Sequence, residues 1–207
     1  CAIIGQAVGT ACSIAVKYGL TPRGVLGKIG ELKQSLRDDD CYLLNTKRHS
    51  SGIILGSNNN LPEEKLRNLT CGIERKLGQG RDYCAEFNFG DEITFEFDTT
   101  YVDRIRLVFD NDIARESYPP EMFNEKMYPN RCHIKKNRTK AYIPQTLVKS
   151  YSIKVKLGDI WTDYFKKDDN HHRLNFVDIG KEISGIKLIP NESYGSDKAR
   201  IYSIDII

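Results

Sequence analysis

The feature that most constrains the fold is an alternation of apolar and polar residues with a period of two. Seven segments follow it: 87–89, 93–97, 105–109, 151–157, 173–177, 183–189 and 200–207. Successive side chains of a strand point to opposite faces of a sheet, so such segments form antiparallel strands with one face toward water. Seven strands without intervening helices predict a mainly β fold, an antiparallel β-sandwich or jelly roll.

The beginning of the chain has a helical period instead. An apolar stripe recurs every three to four residues from Ile4 to Ala15, and Gly19 and Pro22 mark the end of one helix and the start of the next. Gly5 and Gly9 lie one turn apart in the first helix, where a glycine costs about 1 kcal/mol relative to alanine. Such a pair indicates the close approach either of another backbone or of a ligand.

Polar, turn-rich sequence separates these two patterns. It covers "NTKRHSSG" (45–52) and "GSNNNLPEE" (56–64). We therefore expect a helical region in residues 1–45 with two α-helices, a linker in 46–64, and the β-sandwich in 65–207. Deletion of residues 1–44 is then expected to leave the sandwich folded.

Residues 114–145 break the β pattern. They contain four prolines together with Cys132 and His133, and they show no clear period. A loop of this length in a compact domain is often functional, so we expect it to cover one end of the sandwich.

Charge and motifs exclude several classes of function. Lys and Arg number 31 against 28 Asp and Glu, a balance too even for a nucleic-acid footprint. No stretch reaches the roughly 18 apolar residues of a membrane span, and there is neither a Cys-x-x-Cys pair nor a Gly-x-Ser-x-Gly elbow. We expect no nucleic-acid partner, no membrane span, and no catalytic or metal-ligating residue.

Three local features leave alternatives open. The turn "KKDDNHH" (166–172) suits either a metal site or a solvated β-turn. Trp161, the single tryptophan, suits either the core or an exposed platform for a sugar ring. The six cysteines are either reduced, structural thiols or include a Cys71–Cys84 disulfide.

The helical region resembles a known family. "IGQAVGTACSIAVKYGLTPRGV" (4–25) followed by "ELKQSLRDDDCYL" (31–43) is similar to the C-terminal tail of the FAD-dependent oxidoreductases of the two-dinucleotide-binding-fold flavoproteins. The resemblance implies that the first helix is the last of an FAD-binding domain, with its N-terminal backbone near the flavin. By position, the residues that face the cofactor are Gly5, Gln6, Ala7, Gly9 and Thr10.

Residues 61–207 resemble the discoidin-like or galactose-binding-like β-sandwich appended to some of these oxidoreductases. The likeness is carried by "EITFEFDTTYVDRIRLVFDNDI" (92–113), "VKSYSIKVKLGDIWTDY" (148–164) and "ARIYSIDII" (199–207). The dinucleotide fingerprint Gly-x-Gly-x-x-Gly does not occur in the 207 residues.

The two resemblances together imply the C-terminal fragment of an FAD-dependent oxidoreductase. Its partner would be the rest of the flavin domain, N-terminal to Cys1, and the fragment alone would neither catalyse nor retain FAD. Two alternatives stand beside this hypothesis: a galactose-binding-like module that binds carbohydrate, and a sandwich that only braces the flavin domain.

Overall fold

The computed structural model describes residues 2–77, 80–113 and 143–207; most of the predicted loop 114–145 lies outside these ranges. The N-terminal helices are α1 (Ala2–Tyr18), a 3₁₀ helix (Gly24–Lys28) and α2 (Ile29–Asp38). The remaining elements are α3 (Ile53–Gly56), β1 (Asn58–Asn59), α4 (Glu63–Thr70), β2 (Ala85–Phe87), β3 (Ile93–Phe109), β4 (Val148–Leu157), β5 (Ile160–Lys167), β6 (Leu174–Ser193) and β7 (Ala199–Ile206). No helix in these ranges is long and apolar enough to span a membrane.

Two long antiparallel strands, β3 and β6, organise the sheet. Hydrogen bonding gives the order β2–β7–β3–β6–β4–β5, with β1 paired to the beginning of β3. The first half of β3 and the last half of β6 lie with β1, β4 and β5, whereas their other halves lie with β2 and β7. The predicted mainly antiparallel β-sandwich is therefore confirmed, with two longer α-helices before it.

The structure joins segments that the sequence predicts as separate strands. Segments 93–97 and 105–109 both belong to β3, and 173–177 and 183–189 both belong to β6. The pairing of β3 with β6 shifts register between Glu96 and Thr100 and again between Val102 and Arg104. Irregularities of this kind bend a strand without ending it, so one strand contributes to both layers.

The core lies between the two layers and is rich in aromatic and branched side chains. Tyr151 lies between two phenylalanines, with ring centroids 5.1 Å from Phe109 and 5.9 Å from Phe165. The alternating residues of β4, such as Ile153 and Val155, are fully buried in this cluster. The sequence pattern therefore identifies the inward face of β4 correctly.

The N-terminal helices are joined by the turn that the sequence predicts. Gly19 adopts a left-handed conformation with φ 62°, and the N–H of Leu20 donates to the carbonyl of Ala15 over 2.8 Å. In the next turn, Thr21 Oγ1 accepts from the N–H of Gly24. This arrangement folds α2 back on α1.

The apolar stripe of α1 is largely open to solvent. α1 contacts α2 and the 3₁₀ helix, and Ile14 is its buried residue. In the first half of the same helix, Ile4 is 69% exposed and Val8 is 57% exposed. The described residues thus leave this face of α1 without a covering element.

Residues 46–64, predicted as a linker, pack on the sandwich. They contain α3 and β1, and β1 pairs with β3 through Asn58 and Asn59. Within the same stretch, Ile54 belongs to the hydrophobic core and Arg48 is buried. The core cluster of the described chain begins at Ile54, so the helical region (residues 1–45) contributes no residue to it.

Candidate functional site

Three loops meet at one end of the sandwich: 143–147 before β4, 168–173 between β5 and β6, and 194–198 between β6 and β7. The N–H of Ser196 donates to the carbonyl oxygen of Gln145 over 3.0 Å. The N–H of Asn170 donates to the carbonyl oxygen of Lys149 over 2.8 Å. These backbone bonds fix the third loop to the first and the second loop to the beginning of β4. We call this region the loop end.

A buried asparagine gives the second loop its shape. Asn170 is fully buried, and its Nδ2 donates to the carbonyl oxygens of Val148 and His172 over 2.8 and 2.9 Å. Its Oδ1 accepts from the N–H of His172 over 3.0 Å. Because a buried amide is costly to leave without partners, this side chain holds the turn while Asp169 and His171, one on either side of it, point to solvent.

Asp169, His171 and Tyr194 form a polar aromatic cluster at the loop end. Tyr194 Oη donates to Asp169 Oδ1 over 2.9 Å and lies 3.1 Å from His171 Nδ1. The rings of His171 and Tyr194 are stacked, with centroids 5.6 Å apart and an interplanar angle of 29°. His171 Nε2 lies 3.1 Å from Asp169 Oδ2. We call these three residues the loop-end cluster.

In the loop-end cluster, two side chains are open to solvent and the ring of Tyr194 is held against the core. The side chains of His171 and Asp169 are 51% and 71% exposed, whereas Tyr194 packs partly against the core. The hydrogen bonds from Tyr194 and His171 lower the pKa of Asp169. Partial burial and the hydrogen bond to Asp169 raise the pKa of Tyr194 to about 12. At neutral pH the cluster therefore offers a carboxylate beside a neutral phenol.

The turn 166–172 does not assemble a metal site. In the described ranges no three His, Cys, Asp or Glu side chains are close enough to hold a metal ion. Asp168 pairs with Lys166 over 2.8 Å, and Asp169 is engaged by its two ring neighbours. The sequence pattern identifies this turn but not Tyr194, whose place beside it depends on the meeting of two loops.

Trp161 lies on the outer face of the sheet. It pairs in register with Lys156 of β4, whose neighbour Val155 points into the core. The ring is half-buried over Gly185, and Lys187 Nζ is 4.6 Å from its centroid. The alternative that placed Trp161 in the core is wrong.

The residues predicted to face a cofactor lie on α1. Gln6 Oε1 accepts from Cys41 Sγ over 2.9 Å, and Thr10 Oγ1 donates to the carbonyl of Gln6. A Cβ added at Gly5 or Gly9 would meet no atom of the described residues within 4 Å. Within the described chain, then, the glycine pair is not explained by an approaching backbone. A role of Gly5, Gln6, Ala7, Gly9 and Thr10 in holding a cofactor stays a prediction.

Comparisons with known proteins identify the fold. No protein-family model matches the chain, and no curated protein matches it. The chain is similar to the family 32 carbohydrate-binding module of EndoD from Streptococcus pneumoniae, with a TM-score of 0.50 and 12% identity over 75% of this chain and 97% of that module.

Two further solved structures show a weaker likeness. A chitosan-binding module from a Paenibacillus sp. IK-5 chitosanase/glucanase has a TM-score of 0.43 and 9% identity, over 77% of this chain and 99% of that one. The family 32 module of NanJ from C. perfringens, in complex with galactose, has a TM-score of 0.38 and 10% identity, over 59% and 74%. The EndoD module confirms the predicted galactose-binding-like β-sandwich fold.

Proposed function

We propose that the sandwich is a carbohydrate-binding module whose site is the loop-end cluster of Asp169, His171 and Tyr194. The observation that carries the proposal is the stacking of an exposed imidazole on an anchored phenol, with a carboxylate bonded to both. The fold shared with the EndoD carbohydrate-binding module supports it.

The chemistry of the loop-end cluster matches that of a sugar. A pyranose has apolar C–H faces and a rim of hydroxyl groups that donate and accept. An aromatic ring offers an apolar surface for the C–H face, and the exposed carboxylate of Asp169 accepts hydroxyl protons. The cluster is small and open to solvent, which favours weak binding of one terminal sugar residue over enclosure of a chain.

Isothermal titration of the full chain with neutral hexoses and N-acetylhexosamines tests the proposal. We expect saturable binding of at least one sugar, and an affinity reduced about tenfold or more by Asp169→Asn, which removes a charged acceptor. Tyr194→Phe removes the hydroxyl that positions Asp169 and is expected to weaken binding less.

Exposed residues outside the loop-end cluster provide controls, of which Tyr101→Phe matches Tyr194→Phe. Tyr101 is an exposed tyrosine on β3 and His49 an exposed histidine near α2; Tyr101→Phe and His49→Ala should bind as the unchanged protein does. If no sugar in the panel binds, or if Asp169→Asn and His49→Ala lose affinity equally, the loop-end cluster is not a carbohydrate site.

We infer a second function for residues 1–45 from the exposed face of α1: the tail of an FAD-binding domain in a larger oxidoreductase. Ile3, Ile4, Val8 and Val16 are all exposed, a number of large apolar side chains that favours a covering partner. FAD, when bound in such a parent, would accept hydride from an organic substrate. Open space at Gly5 and Gly9 fits a backbone edge that a cofactor approaches.

The coding sequence upstream of Cys1 tests this second function. We expect it to encode, in the same reading frame, a strand followed by Gly-x-Gly-x-x-Gly. An upstream frame without this fingerprint would contradict the flavin-domain proposal and leave the carbohydrate proposal unaffected.

A further inference from the structure

A cleft of about 260 Å³ has two walls. One is formed by the end of α2 and the segment that follows it, and the other by the loop 72–77. It shares no lining residue with the loop-end cluster. We call it the junction cleft, because one wall comes from the helical region and the other from the sandwich.

The junction cleft has a fixed floor. The N–H of Arg48 donates to the carbonyl of Gly72 over 3.0 Å, and Gly72 has a φ of 73°. A Cβ at Gly72 would lie 2.1 Å from the carbonyl oxygen of Arg48, so the two backbones are in close contact. Arg48 Nε is also 3.1 Å from Glu74 Oε1 in a buried ion pair. The floor therefore does not depend on flexible side chains.

Two cations of the junction cleft have no carboxylate partner among the described residues. Arg37 Nε donates to Thr46 Oγ1 over 3.1 Å, and Lys47 is exposed. Within residues 2–77, 80–113 and 143–207, no carboxylate oxygen lies within 4.0 Å of either charged group. An anion placed here would gain charge-assisted hydrogen bonds without breaking an ion pair of this part of the chain.

The acidic residues of the junction cleft are neutralised by other cations. Asp40 Oδ2 lies 2.7 Å from Arg173 Nε, and Asp40 Oδ1 lies 3.4 Å from Arg75 Nη2. Glu74 is shared by Arg48 and Arg106. The charge that remains uncompensated in the cleft is therefore positive.

Apolar and aromatic side chains line much of the rest of the cleft, together with Asn45. Leu43 and Ile73 are half-buried, Leu77 is partly exposed, and the Tyr42 ring carries the Arg75 guanidinium 4.7 Å from its centroid. A dry cavity of about 150 Å³ accepts benzene. The larger volume here accommodates a bicyclic ring or a ring with a short side chain.

We propose that the junction cleft binds a small aromatic carboxylate, with its carboxylate at Arg37 and Lys47 and its ring against Leu43, Ile73 and Leu77. The two cations without a carboxylate partner in the described ranges explain the preference for an anion, and the apolar lining explains the need for a ring. This inference does not depend on carbohydrate binding at the loop end.

A matched pair of probes tests it: 2-naphthoate and the neutral 2-naphthamide, titrated into the full chain and followed by their fluorescence. We expect naphthoate to bind about tenfold more tightly or better, as a charge-assisted contact predicts. Lys47→Ala should remove most of this preference and leave naphthamide binding unchanged. Arg37→Met should do the same, with the preference partly restored by Arg37→Lys.

The control is Lys33→Ala, because Lys33 is an exposed lysine of α2 that does not line the cleft. Ile73→Trp fills the cleft and should abolish binding of both probes, which locates them there. Equal affinity for the two probes, absence of saturable binding, or an equal loss in Lys33→Ala and Lys47→Ala would overturn the proposal.

Discussion

Arg106 and Glu74 form a buried ion pair with two contacts, Nη1 lying 2.6 Å from Oε1 and Nη2 2.9 Å from Oε2. Arg106 comes from β3, and Glu74 from the loop before β2. Arg106 also donates to the carbonyl oxygens of Asp38 and Arg37 over 2.8 and 3.1 Å, and Arg48 Nε donates to the same Oε1 of Glu74 over 3.1 Å. One charge pair thus connects the helical region, the segment after it and the sheet.

Replacement of Glu74 by Gln should strongly destabilise the protein. The change leaves two buried guanidinium groups without their shared carboxylate, and breaking a buried pair in this way costs about 3–5 kcal/mol. Chemical denaturation measures the free energy of unfolding. Glu92→Gln, which removes an exposed partner of Lys187, is the control and should change it much less. Equal losses in the two variants would show that the Glu74 network does not stabilise the fold.

The carboxylate of Glu74 should also make the free energy of unfolding depend on pH in the acidic range. Burial alone would raise the pKa of Glu74, but the hydrogen bond and charge of Arg106, with the charge of Arg48, lower it below the ordinary value of 4.5. A pKa lower in the folded than in the unfolded state stabilises the protein above about pH 4.5, and this stabilisation is lost as the pH falls through the folded value.

Denaturation curves at pH 7, 5, 4 and 3 check this sign. The difference in unfolding free energy between the unchanged protein and Glu74→Gln should shrink on acidification. A difference that stays constant down to pH 3 would mean that Glu74 does not titrate differently in the folded and unfolded states.

Two N-terminal deletions should distinguish the contribution of α1 to stability from that of the rest of the helical region. Deletion of residues 1–20 removes α1 and should change the melting temperature little. Deletion of residues 1–44 also removes Asp40, which pairs with the buried Arg173 over 2.7 Å, and the carbonyl oxygens of Arg37 and Asp38 that accept from the buried Arg106. Because the core begins at Ile54, the chain without residues 1–44 should still melt cooperatively. Its melting temperature should be roughly 10 °C lower than that of the unchanged protein.

Calorimetry of the two deletions distinguishes the possibilities. A non-cooperative melt after deletion of 1–44 would show that the sandwich needs the helical region to fold. An unchanged melting temperature would show that the contacts of Asp40 with Arg173, and of Arg37 and Asp38 with Arg106, are dispensable.

The sequence predicts the buried faces of this protein better than its connections. Alternation identifies Phe95 and Val155 as core residues because one face of each strand must leave water. The bend of β3 near Thr100 is not visible in that pattern, since it depends on the register with β6. Two segments that look like separate strands are therefore one.

For the candidate site, too, the sequence predicts individual residues better than the contacts between them. Asp169 and His171 are visible in the sequence as polar residues of one turn, whereas Tyr194 reaches them only through the contact of two loops. Glu74 and Arg106, 32 residues apart, have no spacing that would pair them in advance. Local composition predicts which groups are available, and tertiary structure decides which of them meet.

Gly185→Ala should destabilise the sheet. A Cβ at this position would lie 2.8 Å from the carbonyl oxygen of Phe95 and 3.0 Å from Trp161 Cη2. The backbone oxygen cannot move without disturbing the pairing of β3 with β6, so we expect a loss of about 1–3 kcal/mol. Gly5→Ala on α1 is the control, where a Cβ meets nothing in the described chain and the helix should become more stable.

Denaturant midpoints of the two glycine variants give the comparison. Similar midpoints for Gly185→Ala and the unchanged protein would mean that Trp161 and β3 accommodate the extra methyl group, contrary to the close contacts at Gly185.

The cysteines should differ widely in reactivity. Cys71 and Cys84 are free thiols, and burial raises the pKa of both, most strongly that of Cys84. Cys12 is exposed on α1. Because the thiolate is the reacting form, iodoacetamide at pH 8 should modify Cys12 first and Cys84 last among the four cysteines of the described ranges. Mass spectrometry of the peptides follows the order.

Labelling in guanidinium chloride provides the control, because unfolding exposes all thiols and should bring their rates together. A peptide pair linked through Cys71 and Cys84 would contradict the free thiols. Labelling of Cys84 as fast as that of Cys12 in the folded protein would show that the strand β2 opens readily, since burial beside this strand is what protects the Cys84 thiol.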